Sequence, residues 1–122
     1  MRQETRGEQG RRAERLVTEW LVTQGAQVVA TNLRLGHLEI DIVARKGQLV
    51  MVVEVRSRAG SSYTSGFSSV SPLKKMRIKK AAARLWDRRY KNDASVERVR
   101  IDVASVSFWT EPPSIEYVEA AF

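Results

Sequence analysis

The stretch HLEIDIVARKGQLVMVVEVRSR, which runs from His37 to Arg58, limits the folds open to this chain more than any other feature. Two apolar runs, over about residues 38–44 and 49–56, are separated by four residues that include Gly47. A two-residue turn of Lys46 and Gly47 would join them as an antiparallel hairpin, because glycine readily takes the positive φ that such turns need. The second run is apolar on both faces, which predicts a central strand of a sheet.

Charged side chains interrupt both predicted strands. Because side chains alternate between the faces of a strand, Glu39 and Asp41 share one face of the first strand, and its two isoleucines share the other. Glu54 and Arg56 share one face of the second strand. With the predicted turn, Glu39 lies directly opposite Glu54, and Asp41 lies diagonally across from it. The hairpin therefore gathers carboxylates and a guanidinium on one side.

This gathering predicts a metal site. Clustered carboxylates repel one another and resist ionisation unless a positive charge lies between them. Magnesium favours one or two carboxylates together with water and phosphate oxygens, so Asp41 and Glu54, with a backbone carbonyl near Val55, are candidate ligands of Mg²⁺ or Mn²⁺. Arg56 would then contact a phosphate. The alternative is a half-exposed hairpin on which these side chains form cross-strand ion pairs.

An amphipathic helix is predicted near the N-terminus. Its apolar residues recur at helical spacing from about Arg11 to Gln24, and Gly25 is a natural stop. Glu14 borders the apolar stripe and can lean toward whatever the helix packs on. Residues 1–10 are predicted to be a mobile basic arm, and residues 11–122 a single domain.

A second helix is predicted to begin at Ser71-Pro72 and to run to about Tyr90. Its inward candidates are Leu73, Met76, Ala83 and Trp86. Further strands are predicted over about residues 26–34, 96–108 and 114–120, and Asp102 is predicted to pair with Arg100 on its own strand rather than to bind metal. The order of elements, α-β-β-β-α-β-β, describes a mixed α/β sandwich around a central sheet.

Positive charge is concentrated in the second helix. The chain has a formal net charge of +7, and residues 71–91 contain nine cations and one anion. Such a basic surface predicts binding to a polyanion, with DNA favoured over RNA, although a solvated helix face is the alternative. The candidate phosphate contacts are Lys74, Lys75, Arg77 and Lys79 on the helix and Arg58 before it. Residues 57–71 predict a loop that either clasps the substrate, with Tyr63 and Phe67 stacking on bases, or only connects the elements.

Composition excludes several classes of protein. The chain has no cysteine, so disulfides and thiolate metal sites are excluded. It has no apolar run of about 18 residues and no apolar segment behind its N-terminus, so neither a membrane span nor a secretory signal is predicted. These features together predict a cytoplasmic protein.

Several motifs in one order resemble a known family. Glu14 in the first helix is followed by Asn32-Leu33-Arg34, by LEIDIVA (residues 38–44), by VVEVRSR (52–58), by Val70 and Lys74, and by RIDVA (100–104). This pattern resembles the YraN-like family of small uncharacterised bacterial proteins. That family lies within the PD-(D/E)xK superfamily and is related to archaeal Holliday-junction resolvases.

The resemblance implies a restriction-endonuclease-like fold, a central mixed β-sheet flanked by helices. It also implies that Glu14, Asp41 and Glu54 bind magnesium or manganese and that the protein cuts nucleic acid. Analogy with resolvases indicates a homodimer. Two positions depart from the family pattern, since Leu38 replaces a glycine and Arg56 replaces the lysine of Glu-x-Lys. Arginine keeps the charge of lysine but cannot deprotonate, so the lysine's role decides whether this chain is active.

Three hypotheses follow for the function of the chain. The first is a metal-dependent nuclease of structured or single-stranded DNA, and the second is a catalytically weakened nucleic-acid-binding protein. The third is a structural module whose basic helix meets an acidic protein. Metal-dependent cleavage separates the first from the second, and salt-sensitive DNA binding separates both from the third.

Overall fold

The computed structural model describes residues 3–58 and 70–122. Within these two ranges, two helices and one π-helical turn accompany five strands. In chain order they are α1 (Arg6–Thr23), β1 (Gln27–Leu35), β2 (Leu38–Lys46), β3 (Leu49–Arg58), α2 (Pro72–Leu85), the π turn (Trp86–Tyr90), β4 (Arg98–Ser107) and β5 (Ser114–Val118). The predicted order of elements is confirmed.

The five strands form one mixed sheet in the order β1-β2-β3-β4-β5. The neighbouring pairs β1–β2, β2–β3 and β4–β5 are antiparallel, whereas β3 and β4 run parallel over ten residue pairs. Helix α1 packs on one face of the sheet and α2 on the other, so the core consists of two apolar clusters. The predicted restriction-endonuclease-like α/β fold is confirmed, with β3 as the central strand.

Helix α1 begins at Arg6, five residues before the predicted start. Thr5 and Glu8 form a capping box: the Glu8 N–H donates to Thr5 Oγ1 at 3.1 Å, and the Thr5 N–H donates to Glu8 Oε1 at 3.3 Å. Residues 6–10 therefore belong to the helix and not to the arm predicted over residues 1–10. Its C-terminal end is as predicted, with Gly25 at a φ of 88° just beyond the last turn.

Helix α2 begins as predicted, because Ser71 Oγ accepts the Lys74 N–H at 3.2 Å. The prediction of its inward face is confirmed for Trp86, which packs against the core from the π turn, and wrong for Leu73, Met76 and Ala83. The buried residues are Ile78, Ala81, Ala82 and Leu85, whereas Leu73 is 51% exposed and Met76 is 46% exposed. The buried set follows i, i+3, i+4 and i+7 spacing, and its two alanines let the helix approach the sheet closely.

The hairpin turn also differs from the prediction. Lys46 pairs with Leu49, so the two turn residues are Gly47 and Gln48, and Gly47 takes the positive φ of 61° that the first turn position needs. The pairing of β2 with β3 is therefore displaced by two residues from the predicted register. A displacement by two keeps each side chain on its face but changes its opposite partner.

Strand β2 does not alternate regularly along its length. Leu38 and Ile40 pack in the cluster under α2, whereas Ile42 and Ala44 pack in the cluster under α1. The two isoleucines were predicted to share a face, and that prediction is wrong because the alternation breaks at Asp41. Strand β2 thus contributes apolar side chains to both clusters of the core.

Candidate carboxylate site and basic helix

Asp41 and Glu54 are the neighbouring carboxylates of the hairpin. The observed register pairs Ile42 with Val53, and the next residues outward are Asp41 and Glu54. Asp41 Oδ2 accepts the backbone N–H of Val55 at 2.9 Å, which fixes the carboxylate against β3. Asp41, and not Glu39 as predicted, is therefore the partner across from Glu54. The contact from Val55 is its N–H, whereas a carbonyl was predicted to assist there.

Glu54 is a buried acid that forms an ion pair with a lysine of α2. Its side chain is 7% exposed, and its Oε1 lies 3.1 Å from Lys74 Nζ. Burial and the charge of Asp41 raise the pKa of Glu54 to about 7, while Lys74 acts in the opposite direction. The strand supplies the acid and the first turn of α2 supplies the ammonium, because the Ser71 cap fixes the backbone of Lys74.

A cavity of about 230 Å³ opens above this pair. It is lined by His37, Leu38, Glu39, Asp41, Glu54, Lys74, Arg77 and Ile78. The cavity thus joins carboxylates from the hairpin to cations from α2. Of its lining, His37 was not predicted as a site residue, although its place just before the acidic strand was a usable signal.

Glu14 reaches the edge of the same acidic region from α1. Asn32 Nδ2 donates to Glu14 Oε2 at 3.2 Å, and Asn32 has a positive φ of 49° within β1. Burial raises the pKa of Glu14, and the charges of Asp41 and Glu39 act in the same direction. The predicted acids therefore interact electrostatically across the sheet.

The donor set fits a divalent cation held by two carboxylates. Burial and the charge of Asp41 oppose the ionisation of Glu54, and a cation between the two carboxylates would reverse this effect. Within residues 3–58 and 70–122, no group of three or more His, Asp or Glu side chains is arranged to share one metal ion. Glu14, the predicted third ligand, accepts a hydrogen bond from Asn32, and its role as a ligand stays a prediction.

The predicted cations lie in different surroundings. Lys74 and Arg77 line the cavity, and Lys79 is exposed one turn further along α2. Lys75 Nζ lies 5.6 Å from the centre of the Phe122 ring. Half-buried Arg56 follows Glu54 by two residues on β3 but is not among the residues that line the cavity.

Two other predictions concern Arg58 at the C-terminal end of β3 and the loop that follows it. Arg58 is the last residue of β3, where its carbonyl accepts the Phe108 N–H at 2.8 Å. The predicted loop over residues 57–71 is shorter at its start, since residues 57 and 58 belong to β3. Tyr63 and Phe67 lie outside the described residues.

Similarity to known proteins identifies the family of the chain. A model of the "Uncharacterised protein family UPF0102" matches residues 13–106. The chain belongs to this family. A UPF0102 protein of Sorangium cellulosum is 41% identical over 114 residues, which are 93% of this chain and 79% of that relative. A UPF0102 protein of Anaeromyxobacter dehalogenans is 34% identical over 113 residues, 93% of this chain and 82% of the relative.

A third UPF0102 protein, from Leifsonia xyli, is 32% identical over 112 residues, which are 91% of this chain and 92% of the relative. These matches confirm that the chain is a member of a small uncharacterised bacterial family, as the YraN-like resemblance implied. Among the described residues, no helix is long and apolar enough to cross a membrane.

The raised pKa of Glu54 gives a prediction about stability and pH. Since the folded-state pKa of about 7 exceeds the ordinary value, the folded chain binds more protons than the unfolded chain between about pH 4.5 and 7. The contribution of Glu54 to stability therefore falls as pH rises through this window. We expect Glu54→Gln to be more stable than the parent by about 1–3 kcal/mol at pH 8 and nearly equal to it at pH 4.5.

Urea unfolding in the presence of chelator at both pH values measures this difference. Glu116→Gln is a matched control, because Glu116 is exposed on β5. An equal pH response of the parent and Glu54→Gln would contradict the raised pKa of Glu54.

Proposed function

We propose that the protein is a metal-dependent nuclease that hydrolyses phosphodiester bonds of DNA at the Asp41–Glu54 pair. The observation that supports this most is the pair itself, two neighbouring carboxylates that face a cavity rimmed by Lys74 and Arg77. The acids carry the charge that a metal ion needs from its ligands, and the neighbouring cations carry the charge that attracts a phosphodiester. Cleavage of nucleic acid remains a proposal by analogy with the superfamily that the sequence resembles.

The residues of the site have separate roles in this proposal. Asp41 and Glu54 would hold Mg²⁺ or Mn²⁺, which when bound polarises a phosphate oxygen and lowers the pKa of water. The ammonium of Lys74 balances the negative charge of buried Glu54, which lies close to the second carboxylate. Arg77 contributes a guanidinium at the cavity wall, suited to a phosphate oxygen. Hydrolysis adds water across one P–O bond and yields a phosphomonoester and an alcohol.

A cleavage assay tests the proposal. Labelled single-stranded, flap and four-way-junction DNA would each be incubated with Mg²⁺, Mn²⁺ or chelator. Cutting that requires metal supports the nuclease, and absence of cutting on all substrates argues against it. Symmetric cleavage of two strands would need two copies of the site, so the homodimer also remains a prediction.

The Arg56→Lys variant, tested in the same assay, distinguishes an active nuclease from one that the arginine at position 56 has weakened. Because Arg56 does not line the cavity, whereas Lys74 already contacts Glu54, we expect this substitution to change the cleavage rate by less than about tenfold. An inactive parent together with an active Arg56→Lys variant would show that arginine had disabled the site.

A nucleic-acid-binding protein without catalysis is the second candidate. It is favoured by the Lys74–Glu54 ion pair, which balances the buried carboxylate without a metal ion. It is also favoured by Glu14, which Asn32 holds. Tight, salt-sensitive DNA binding without cutting by the parent or by Arg56→Lys would select this candidate.

Phosphate contacts by α2 predict a steep salt dependence of DNA affinity. Each phosphate neutralised by the protein contributes about −0.9 to the slope of log affinity against log salt concentration on duplex DNA. We expect Lys79→Ala to weaken binding and to make this slope shallower by about 1, measured by fluorescence anisotropy in chelator. Lys46→Ala is the control, since exposed Lys46 ends β2 next to the hairpin turn. An equal change of slope in both variants would contradict the assignment of phosphate contacts to α2.

A further inference from the structure

Helix α2 carries a groove on its solvent side that the carboxylate site does not use. The groove has a volume of about 510 Å³ and is lined by Pro72, Lys75, Met76, Lys79, Lys80 and Ala83. These residues follow i, i+3, i+4, i+7, i+8 and i+11 spacing, which is one continuous face of the helix. This face carries three cationic and three apolar side chains.

The apolar part of the groove has no role in holding α2 to the sheet. Docking is supplied by Ile78, Leu85 and two alanines on the opposite side. Met76 is 46% exposed within the groove, and Leu73 is 51% exposed one turn before it. Leu73 precedes Met76 by three residues and Arg77 by four, so it lies between the groove and the carboxylate cavity. The exposed apolar side chains therefore lie between the lysines of the groove and the two cations at the wall of the carboxylate cavity.

The positive charge of α2 indicates the chemical class of the partner. Residues 72–85 include six cations and no acidic residue, and the cations are Lys74, Lys75, Arg77, Lys79, Lys80 and Arg84. A polyanion matches this charge. A regular duplex presents mainly sugar and phosphate on its outside, which would leave Met76 and Leu73 without an apolar contact. A single strand offers phosphates and exposed base faces together.

We propose that this groove binds single-stranded nucleic acid, with phosphates on Lys79 and Lys80 and base faces against Met76 and Leu73. The inference rests on the proposed function and deepens it, because it names the form of nucleic acid that enters the site. A strand in the groove passes Leu73 and continues to the cavity of Asp41 and Glu54. The apolar patch is too small to anchor a membrane-bound helix, which buries a long apolar face.

The test compares three DNA probes of equal length in chelator: a single strand, a strand of abasic sugar-phosphate, and a blunt duplex. For Met76→Ser and Leu73→Ser we expect single-strand affinity to fall about fivefold or more, with an unchanged salt slope. Affinity for the abasic strand stays within about twofold of the parent, because the lost contact is to bases. Val22→Ser is the matched control, since Val22 is 57% exposed on α1.

Three outcomes would overturn the inference. One is an equal loss of affinity for the abasic strand and the single strand. Another is no loss for Met76→Ser relative to Val22→Ser while the parent still cuts DNA with metal, which would leave the proposed function intact. The third is tight, Met76-dependent binding to vesicles of phosphatidylserine and phosphatidylcholine or to polyglutamate without binding to the single strand.

Discussion

Asp41→Asn is expected to lower metal-dependent cleavage by at least about 100-fold without loss of the fold. Asparagine keeps the shape of aspartate and an oxygen that can accept the Val55 N–H, which Asp41 accepts at 2.9 Å. It removes the charge that a divalent cation needs. It also removes the repulsion that raises the pKa of Glu54, so the folded chain does not become less stable at neutral pH.

Two measurements separate the metal site from a merely structural role of Asp41. Titration calorimetry with Mn²⁺ should show weaker binding to Asp41→Asn than to the parent, and DNA affinity in chelator should not fall, because a negative charge is lost. Asp87→Asn is the control, since exposed Asp87 pairs only with Lys91 on its own helical segment in the described structure. Cleavage by Asp41→Asn at the rate of the Asp87→Asn control would contradict the proposed ligand role.

Asp102→Ala is expected to lower the free energy of unfolding by about 3–5 kcal/mol. Asp102 is 0% exposed and accepts hydrogen bonds from Arg100 Nε at 2.8 Å, Tyr117 Oη at 2.6 Å and the Ala120 N–H at 3.0 Å. Its carboxylate thus connects β4 to β5 and to the chain beyond it. Alanine would leave the Arg100 guanidinium, which is largely buried, without its main partner.

Urea unfolding of a short series measures this network. Tyr117→Phe removes one hydrogen bond and should cost about 1–2 kcal/mol, so it should lie between the parent and Asp102→Ala. The pKa of Tyr117 is raised by burial and by its hydrogen bond to Asp102, so the phenol remains a donor throughout the neutral range. A stable Asp102→Ala variant that had lost metal-dependent cleavage would contradict the structural role and place Asp102 in the site.

The apolar pattern and the turn residues were sufficient to predict the architecture. The continuous apolar run of β3, the alternation over β4, the helix start at Ser71-Pro72 and the glycine in the hairpin are all local signals that act within a few residues. Asp41 and Glu54 could be chosen together as candidate metal ligands because the hairpin is a local structure. The early start of α1 was also encoded locally, since Thr5 and Glu8 have the spacing of a capping box.

The features that sequence did not predict depend on contacts between distant segments. Whether Lys74 reaches Glu54 depends on how α2 docks on the sheet, which Ile78 and two alanines determine. The inward face of α2 was predicted wrongly because both of its faces carry apolar side chains, and periodicity alone does not rank them. The hairpin register depended on whether Lys46 ends a strand or begins a turn.

The break in alternation at Asp41 restricts how β2 can slide along β3. In a regular strand, a slip by two residues returns every side chain to its own face. Here a slip by two would place either Arg45 or Asp41 at the position of Val43, which is 1% exposed in the cluster under α2. Such a slip would bury an unpaired charge. A slip by two residues is thereby disfavoured, and the buried position of Val43 helps to keep Asp41 opposite Glu54.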